Sequence, residues 1–519
     1  MNSTTELARQ KYQRELDLDR SQLERNQLGQ FSTPVELADE IARAVLPLLP
    51  ARQPIRFLEP AIGSGAFFSA LLQNKKNRII GDALGFEIDP RFADVARQLW
   101  GADGLDVENE DFLSALPRAA MANLVIANPP YVRHHHVSPT RKKMLQERVR
   151  RELGISISGL SGLYCYFMLL TNEWLAEDAI SAWLVPSEFM DVNYGKSIRT
   201  YLTDHVELKQ IHRYCPLEDK FDDALVSSAV VIFRKRKPAS NKQVRLTFGG
   251  PLEQPRVTTQ ISISELRSES RWTRLATART KSQACFSAPR QTNETTLGDL
   301  FVVKRGVATG ANGYFILPRA EATRLQIPGQ FLKPILPSPR HLKIEKIERC
   351  DDGYPKIDKQ LVLLDCNIDE TQIKKKFPHL WDYLTVGKNQ GIPAGYLTSH
   401  RDPWYSQEHR KPAPFLCSYM GRSETQPFRF FWNKSDAIVA NVYLMLYPKR
   451  EIESRLLASK QLERGLFDML SQIKPEDFFD EGRVYGGGLF KLEPAELKRL
   501  PVRNLPNGLN LSKQQQLWE

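Results

Sequence analysis

Asn128-Pro129-Pro130-Tyr131 places two hydrogen-bond acceptors and one aromatic face within four residues, directly after the apolar run Leu124-Val125-Ile126-Ala127. Proline fixes its own φ and restricts the residue before it, so the Asn128 amide and the Pro129 carbonyl are held in a nearly fixed geometry. Two acceptors and a flat π-face suit a planar ring that carries an exocyclic amine. A nucleobase amino group meets that description, and the chemistry it points to is transfer onto the amine. Such a nitrogen is a poor nucleophile because its lone pair is delocalised into the ring. Two acceptors gripping its hydrogens favour pyramidalisation and localise the lone pair, so orientation and fixed dipoles supply the acceleration without a strong general base.

The elements that must hold this turn alternate along the chain. Residues 1–28 are polar and charged at roughly helical spacing, a helical lead-in. Residues 35–49 form an amphipathic helix, with Thr33 as its N-cap and Pro34 at its first position. A strand over RFLEP, a glycine turn into a helix, a strand over LGFEI, a helix over 90–99 and the strand NLVIAN follow. A helix over 163–177, the strand AISAWLVP, a helix over 196–204 and a closing strand or hairpin over ALVSSAVVIFRK complete the alternation. This pattern predicts a parallel, doubly wound α/β sheet over 29–238. The basic, Pro/Ser-containing stretch 235–242 marks its end. Residues 239–519 read as a second domain of mixed α/β type.

Three further strand ends carry ligand-type residues. Glu59-Pro60-Ala61-Ile62-Gly63-Ser64-Gly65 is a strand followed by a glycine turn, where a ligand can approach the backbone; a plain tight turn is the alternative. Glu87, 22 positions after Gly65, stands where a carboxylate accepts ribose hydroxyls, or else it caps the helix starting at Pro90. Asp111 can accept from an adenine amine while Phe112 stacks on its ring; a helix cap beside a core phenylalanine is the ordinary alternative.

Composition narrows the class. The chain has 519 residues, 41% of them hydrophobic, enough for two or three domains with full cores. No apolar run approaches 18 residues, and the first twenty lack a signal-peptide core, so no transmembrane helix or membrane partner is expected and a reducing cytoplasm is the plain reading. Six scattered cysteines without a CxxC pair speak against a zinc site or a disulfide framework. Consecutive histidines 134–136 diverge too much to chelate one ion, so no metal is expected. Residues 1–238 hold 30 Lys and Arg against 31 Asp and Glu, and residues 239–519 hold 42 against 30. A positive C-terminal part suits a phosphate backbone, or is a solubilising surface.

The succession Thr33-Pro34, LEPAIGSG, FEIDP, EDFL and ANPPYV resembles the S-adenosylmethionine-dependent amino methyltransferases. Its order resembles the gamma class of adenine-N6 DNA methyltransferases from type II restriction–modification systems, the Eco57I-like methylase family. Gly162-Leu163-Tyr164, Leu184–Phe189, SSAVVIF, and in the C-terminal part FVVKRGVATGANGYFIL, RDPWY, FLCSYMGR and VYGGGLFKLEP extend the likeness over most of the chain.

The resemblance implies a Rossmann-like catalytic domain and a C-terminal target-recognition domain acting as a monomer on double-stranded DNA at a specific short site. A cognate restriction endonuclease would act on the same site. Thr33 and Pro34 would line the methionine end of S-adenosylmethionine, and Glu59, Pro60, Ala61, Gly63 and Gly65 would surround its amino acid and sugar. Glu87 would hold the ribose hydroxyls, Asp111 and Phe112 the adenine, and Ile88 belongs to the same cofactor-binding set. Asn128 and Pro129, stiffened by Pro130, would grip the target amine. Because that amine is inaccessible in a duplex, the base must be extruded. Tyr131 would stack on it, and Tyr194 would close its other face, with Phe189 as rival. Enzymes acting on RNA adenine or protein glutamine share the NPPY chemistry, and a catalytically inactive DNA-binding regulator is a different class of reading.

Overall fold

The computed structural model describes residues 3–21, 24–25, 28–117, 121–215, 228–239, 242–273, 275, 295–423, 426–475, 477–478, 483–485, 489–506 and 509. The chain forms two compact units, residues 1–284 with 485–487, and residues 285–484 with 488–519.

The first unit is built on strands β1 (Ile55–Glu59), β2 (Ile80–Phe86), β3 (Leu105–Glu108), β4 (Ala122–Ala127), β5 (Leu175–Pro186), β6 (Glu207–Arg213), β7 (Ser228–Arg234), β8 (Gln243–Phe248) and β9 (Val257–Ser262). Their order in one sheet is β3-β2-β1-β4-β5-β7-β6-β8-β9. The strands from β3 to β5 pair in parallel, while β7 runs antiparallel to both β5 and β6. Strand order reverses between β1 and β4, which opens a crevice at their carboxyl ends. Helices α1 (Ser3–Leu18), α2 (Val35–Val45), α3 (Ala66–Asn74), α4 (Pro90–Trp100), α5 (Pro139–Leu153), α6 (Leu163–Leu170) and α7 (Lys196–Asp204) complete the frame.

Strand β4 explains why the sheet can be doubly covered. Its side chains alternate, Val125 and Ala127 joining one core and Leu124 and Ile126 another, all of them fully buried. A strand buried on both faces reads as a continuous apolar run, and such a run ends where its polar turn emerges.

The structure corrects several expectations. Helix α6 ends at Leu170, and β5 begins at Leu175 inside the segment expected to be helical to 177. Strand β6 was not anticipated, and the sheet is mixed rather than wholly parallel. The domain boundary at 238/239 falls inside the sheet: β6 pairs with β8 in parallel, and β8 with β9. Val244, Leu246, Ile261, Ile263 and Leu266 bury into the same core as β4 and β5. Residues 239–284 carry eight Lys and Arg against three Asp and Glu, which leaves 34 against 27 in residues 285–519. Part of the positive excess therefore belongs to the first unit. Nor is α1 a detached lead-in; Arg9 is buried and donates to Ser64 Oγ at 2.9 Å.

In the second unit β10 (Phe301–Arg305), β17 (Tyr443–Pro448), β15 (Phe415–Ser418), β16 (Phe430–Asn433) and β13 (Lys346–Ile347) form a five-stranded sheet in that order. A three-stranded sheet, β11 (Ile316–Pro318), β14 (Leu361–Leu364) and β12 (Leu332–Ile335), accompanies it. Phe431 is fully buried and Trp404 packs against Tyr314, Phe315 and Tyr405, so both are framework aromatics. Of VYGGGLFKLEP, residues 486–488 lie outside the described set. Among the described residues no helix is long and apolar enough to cross a membrane.

The corrected boundary is testable with fragments. Residues 1–284 should melt cooperatively, whereas residues 1–238 lose five buried aliphatic side chains, each contributing about 1.5–3 kcal/mol. The shorter fragment should show no cooperative transition by circular dichroism. Equal melting of the two would restore the boundary at 238.

Candidate active site

Asn128 emerges at the end of β4, beside the crevice. Its Nδ2 donates to the Phe31 carbonyl and to Thr33 Oγ1, both at 3.1 Å. A carbonyl can only accept, so this partner fixes which end of the amide faces the 31–33 segment. The other end, Oδ1, is buried and has no partner. An amide clamped by its donor group thus presents a single bare acceptor. Thr33 does this instead of capping α2, whose N-cap is Pro34 without a side-chain bond.

The glycine turn follows β1. Gly63 and Gly65 have φ of +54° and +84°, the left-handed region that glycine enters without penalty. A Cβ on Gly65 would sit 2.5 Å from Trp100 Nε1, which itself donates to Ser64 O at 2.9 Å, whereas Gly63 faces open space. Pro60 is buried and Ala61 half-buried behind this turn.

Two carboxylates at this edge differ in state. Glu87 accepts from the Gly63 and Asp89 backbone amides, both at 2.9 Å. Burial still holds its carboxyl above the usual range, the amides partly offsetting that. Asp89, not Glu87, caps α4 through the Arg91 amide. Glu59 is 2% exposed and its Oε2 has no partner. Burial first, then the neighbouring Glu87 charge, pushes its carboxyl well above the ordinary value, against the pull of Arg9. Ile88 stands 65% exposed beside Glu87, an apolar side chain left open at a strand end.

At the end of β3 the ordinary alternative describes the residues better. The Phe112 ring is buried against Phe86, Phe167 and Trp174, so it presents no free face for stacking. Asp111 caps the Leu113 amide at 3.2 Å and pairs with Arg141 of α5.

The Tyr131 ring packs against Phe31 with centroids 5.7 Å apart, its hydroxyl donating to Leu184 O at 3.1 Å. Its amide donates to Gly29 O at 2.9 Å, so the tyrosine is held at backbone and phenol alike. Leu163 N bonds Val132 O at 3.0 Å, and Ser161 Oγ donates to Tyr194 O at 3.3 Å, linking the NPPY turn to the Tyr194 segment. Tyr194 is half-buried and donates to Glu188 Oε2 at 2.7 Å. Phe189, its rival, is fully buried against Trp272.

Sequence reasoning missed the N-terminal contribution. Arg9 binds Glu6 and Ser64, Ser64 Oγ donates to Gln13 Oε1 at 2.7 Å, and Arg20 reaches Asp89 at 2.7 Å. The only signal was a polar stripe, Glu6, Arg9 and Gln13, at helical spacing, which reads as a solvated face. Among the described residues no group of three or more His, Cys, Asp or Glu is placed to hold a metal.

A switch-point crevice flanked by a glycine turn, a carboxylate on the next strand and an NPPY corner defines a nucleotide-cofactor transferase of the α/β class. Comparison with known proteins carries this further. Residues 104–221 match the family described as Eco57I restriction-modification methylase, and residues 269–518 match the C-terminal domain of Type II methyltransferase M.Eco57I. The chain belongs to the Eco57I-like restriction–modification methylases. It is similar to Type II methyltransferase M.XamI of Xanthomonas campestris pv. amaranthicola, 29% identical over 90% of this chain and 84% of that protein. It is also similar to Type II methyltransferase M.AccI of Acinetobacter calcoaceticus, 28% identical over 92% and 85%. Among solved structures, the Type IIL restriction-modification enzyme MmeI in complex with DNA matches 82% of this chain and 60% of its own, with 12% identity and a TM-score of 0.48.

The cofactor that goes with this family is S-adenosylmethionine. The residues present fit it: an unpartnered buried Glu59 oxygen, an open left-handed Gly63, the Glu87 carboxylate and an exposed Ile88.

Two outcomes follow from this geometry. Because the Glu59 carboxyl is raised in the fold, the stability it gives is complete at low pH and is lost as pH rises past the ordinary glutamate range. Glu59→Gln should raise the melting temperature of the ligand-free protein at pH 8 by several degrees, with the gain vanishing near pH 4, while weakening cofactor binding. A lower melting temperature at pH 8 would contradict this. Thr33→Val removes one of the two acceptors on Asn128 Nδ2 and should lower kcat for methyl transfer about two- to ten-fold, the size of one net hydrogen bond. An unchanged kcat would show that the Phe31 carbonyl suffices.

Proposed function

We propose that the protein is a site-specific DNA adenine-N6 methyltransferase that protects host DNA from a cognate restriction endonuclease and acts as a monomer. The observation that carries this reading is the bare Oδ1 of Asn128, a buried acceptor whose amide cannot turn away. S-adenosylmethionine supplies an electrophilic methyl group on a sulfonium centre. The chain's own residues do the rest. Glu59 and the Pro60–Gly65 turn hold the amino-acid end, with Thr33 and Pro34 beside it. Glu87 takes the ribose hydroxyls, and the exposed Ile88 side chain beside it packs against the cofactor.

The target adenine is extruded from the duplex so that its amine meets Asn128 Oδ1 and the Pro129 carbonyl. Accepting both amine hydrogens localises the nitrogen lone pair and aims it. Tyr131, anchored through its hydroxyl and braced by Phe31, keeps one ring wall rigid; Tyr194, half-open and fixed by Glu188, closes the other. The corner contains no strong base, in keeping with a reaction driven by positioning. The first compact unit is the catalytic domain, and residues 285–519 read the DNA sequence.

Tritium transfer from labelled S-adenosylmethionine tests the reading on duplex DNA, RNA and protein in parallel. Label should enter DNA alone and be recovered as N6-methyladenine after digestion to nucleosides. Asn128→Ala should lose at least about 100-fold in kcat, the scale of deleting one fixed hydrogen-bonding group, while still binding duplex DNA. Label in cytosine, RNA or protein glutamine overturns the proposal.

A further inference from the structure

Among its described residues, the second unit carries one large aromatic held almost wholly in solvent. Tyr396 is 81% exposed, and Leu397 beside it and Val386 nearby are exposed as well. Tyr396 and Leu397 sit on a tightly tied loop, and Val386 on the helix that precedes it. Thr398 is buried, and its hydroxyl bonds to the carbonyls of Ile392 and Gly395. Ser399 N closes onto Gly395 O at 2.8 Å, and the His400 ring lies 4.9 Å from that of Tyr396, its Nδ1 2.6 Å from Tyr396 O. Behind the loop, helix α8 (Pro378–Asn389) is locked to residues 312–315: Tyr314 and Tyr383 stack 4.8 Å apart and exchange hydrogen bonds between each hydroxyl and the other's carbonyl. An exposed aromatic on a rigid platform is ordered in advance for a partner.

The same platform unites two motifs that lie ninety residues apart in sequence. Arg401 donates to the carbonyls of Ala308 and Thr309, and a Cβ on Gly310 would stand 3.0 Å from the Leu397 Cβ. The Ala308–Gly310 turn, which follows strand β10, and the Leu397–Arg401 segment are therefore packed together. Exposed side chains on and beside these segments include Lys304, Arg305, Asn312, Asn389, Gln390 and His400. Arg305 is engaged by the Tyr419 ring and the Asn441 carbonyl, which leaves Lys304 as the exposed cation ahead of the turn and the amides of Asn312, Asn389 and Gln390 as groups suited to base edges.

We propose that Tyr396, with Leu397, is an apolar wedge that stacks on a base step of duplex DNA, while Lys304, on the strand that leads into the adjoining turn, holds a phosphate. This rests on the DNA methyltransferase reading and deepens it by naming a contact of the recognition unit. Wedges of this kind trade base stacking in the duplex for protein contact. Stacking is indifferent to salt, whereas each phosphate contact contributes to the salt dependence of binding.

The full chain, loaded with S-adenosylhomocysteine, is titrated onto linearised, unmodified plasmid DNA at several salt concentrations. Tritium transfer to the same DNA is followed in parallel. Tyr396→Ala should weaken binding and raise KM for DNA about ten-fold, with the salt slope and cofactor affinity unchanged. Tyr396→Trp and Tyr396→Phe should restore both. Lys304→Gln should instead reduce the log–log salt slope by about one. Binding of Tyr396→Ala equal to wild type, or failure of both aromatic replacements to rescue it, overturns the wedge. If the wild type transfers no label to DNA, the enzymatic reading falls by itself. The binding comparison then still decides the wedge.

Discussion

The clamp on the Asn128 amide is the constraint around which the catalytic unit is arranged. Leaving a buried carbonyl oxygen without a donor costs about 1–3 kcal/mol, and a free side chain would rotate to avoid it. Asn128 cannot, because its Nδ2 is committed to the Phe31 carbonyl and the Thr33 hydroxyl. Turning the amide would set carbonyl against carbonyl. Pro129 and Pro130 remove the backbone freedom that might otherwise relieve the cost. The unsatisfied acceptor is stored binding capacity, aimed before any ligand arrives.

Such a clamp needs a scaffold that does not give. Strand β4 is central in the sheet and buried on both faces, so its end is among the stiffest points of the fold. The segment supplying Phe31 and Thr33 is fixed in turn by Gly29, whose carbonyl takes the Tyr131 amide. Upstream, α1 is pinned to the glycine turn by Glu6, Arg9 and Gln13 rather than by an apolar face; Leu7 and Leu18 are exposed. The two carboxylates at the crevice then divide the work. Glu87 has backbone amides on both oxygens and is structurally complete, whereas Glu59 is left wanting a partner.

Much of this was legible in the chain. The apolar run before Asn128, the glycine turn after Glu59 and the carboxylate at 87 are local patterns, and each stands at a strand end as expected. What escaped was non-local. Thr33 reads as an N-cap because its partner lies 95 residues away. Asp111-Phe112 reads on its own more readily as cap and core than as ligand site, and the aromatic neighbours of Phe112 agree with the former. Strands β8 and β9 follow a basic, proline-containing stretch that resembles a linker, yet they extend the sheet. The polar face of α1 carried no apolar period to reveal what it covers.

The corrected boundary also changes what charge can say about recognition. An excess of 34 basic over 27 acidic residues in 285–519 is modest, and an even spread of it would give only a diffuse field. Many of these charges are spent internally. Arg319 lies 3.7 Å from the Tyr354 ring centroid and pairs with Asp352, and Arg429 reaches Glu345 and the Leu342 carbonyl. Affinity for a polyanion must then come from how the cations facing solvent are grouped, rather than from their number. Specificity must come from groups that net charge does not count. Exposed amides and a rigidly mounted aromatic are groups of that sort, and they stand out only once the folded chain shows which polar and apolar side chains its own core has not consumed.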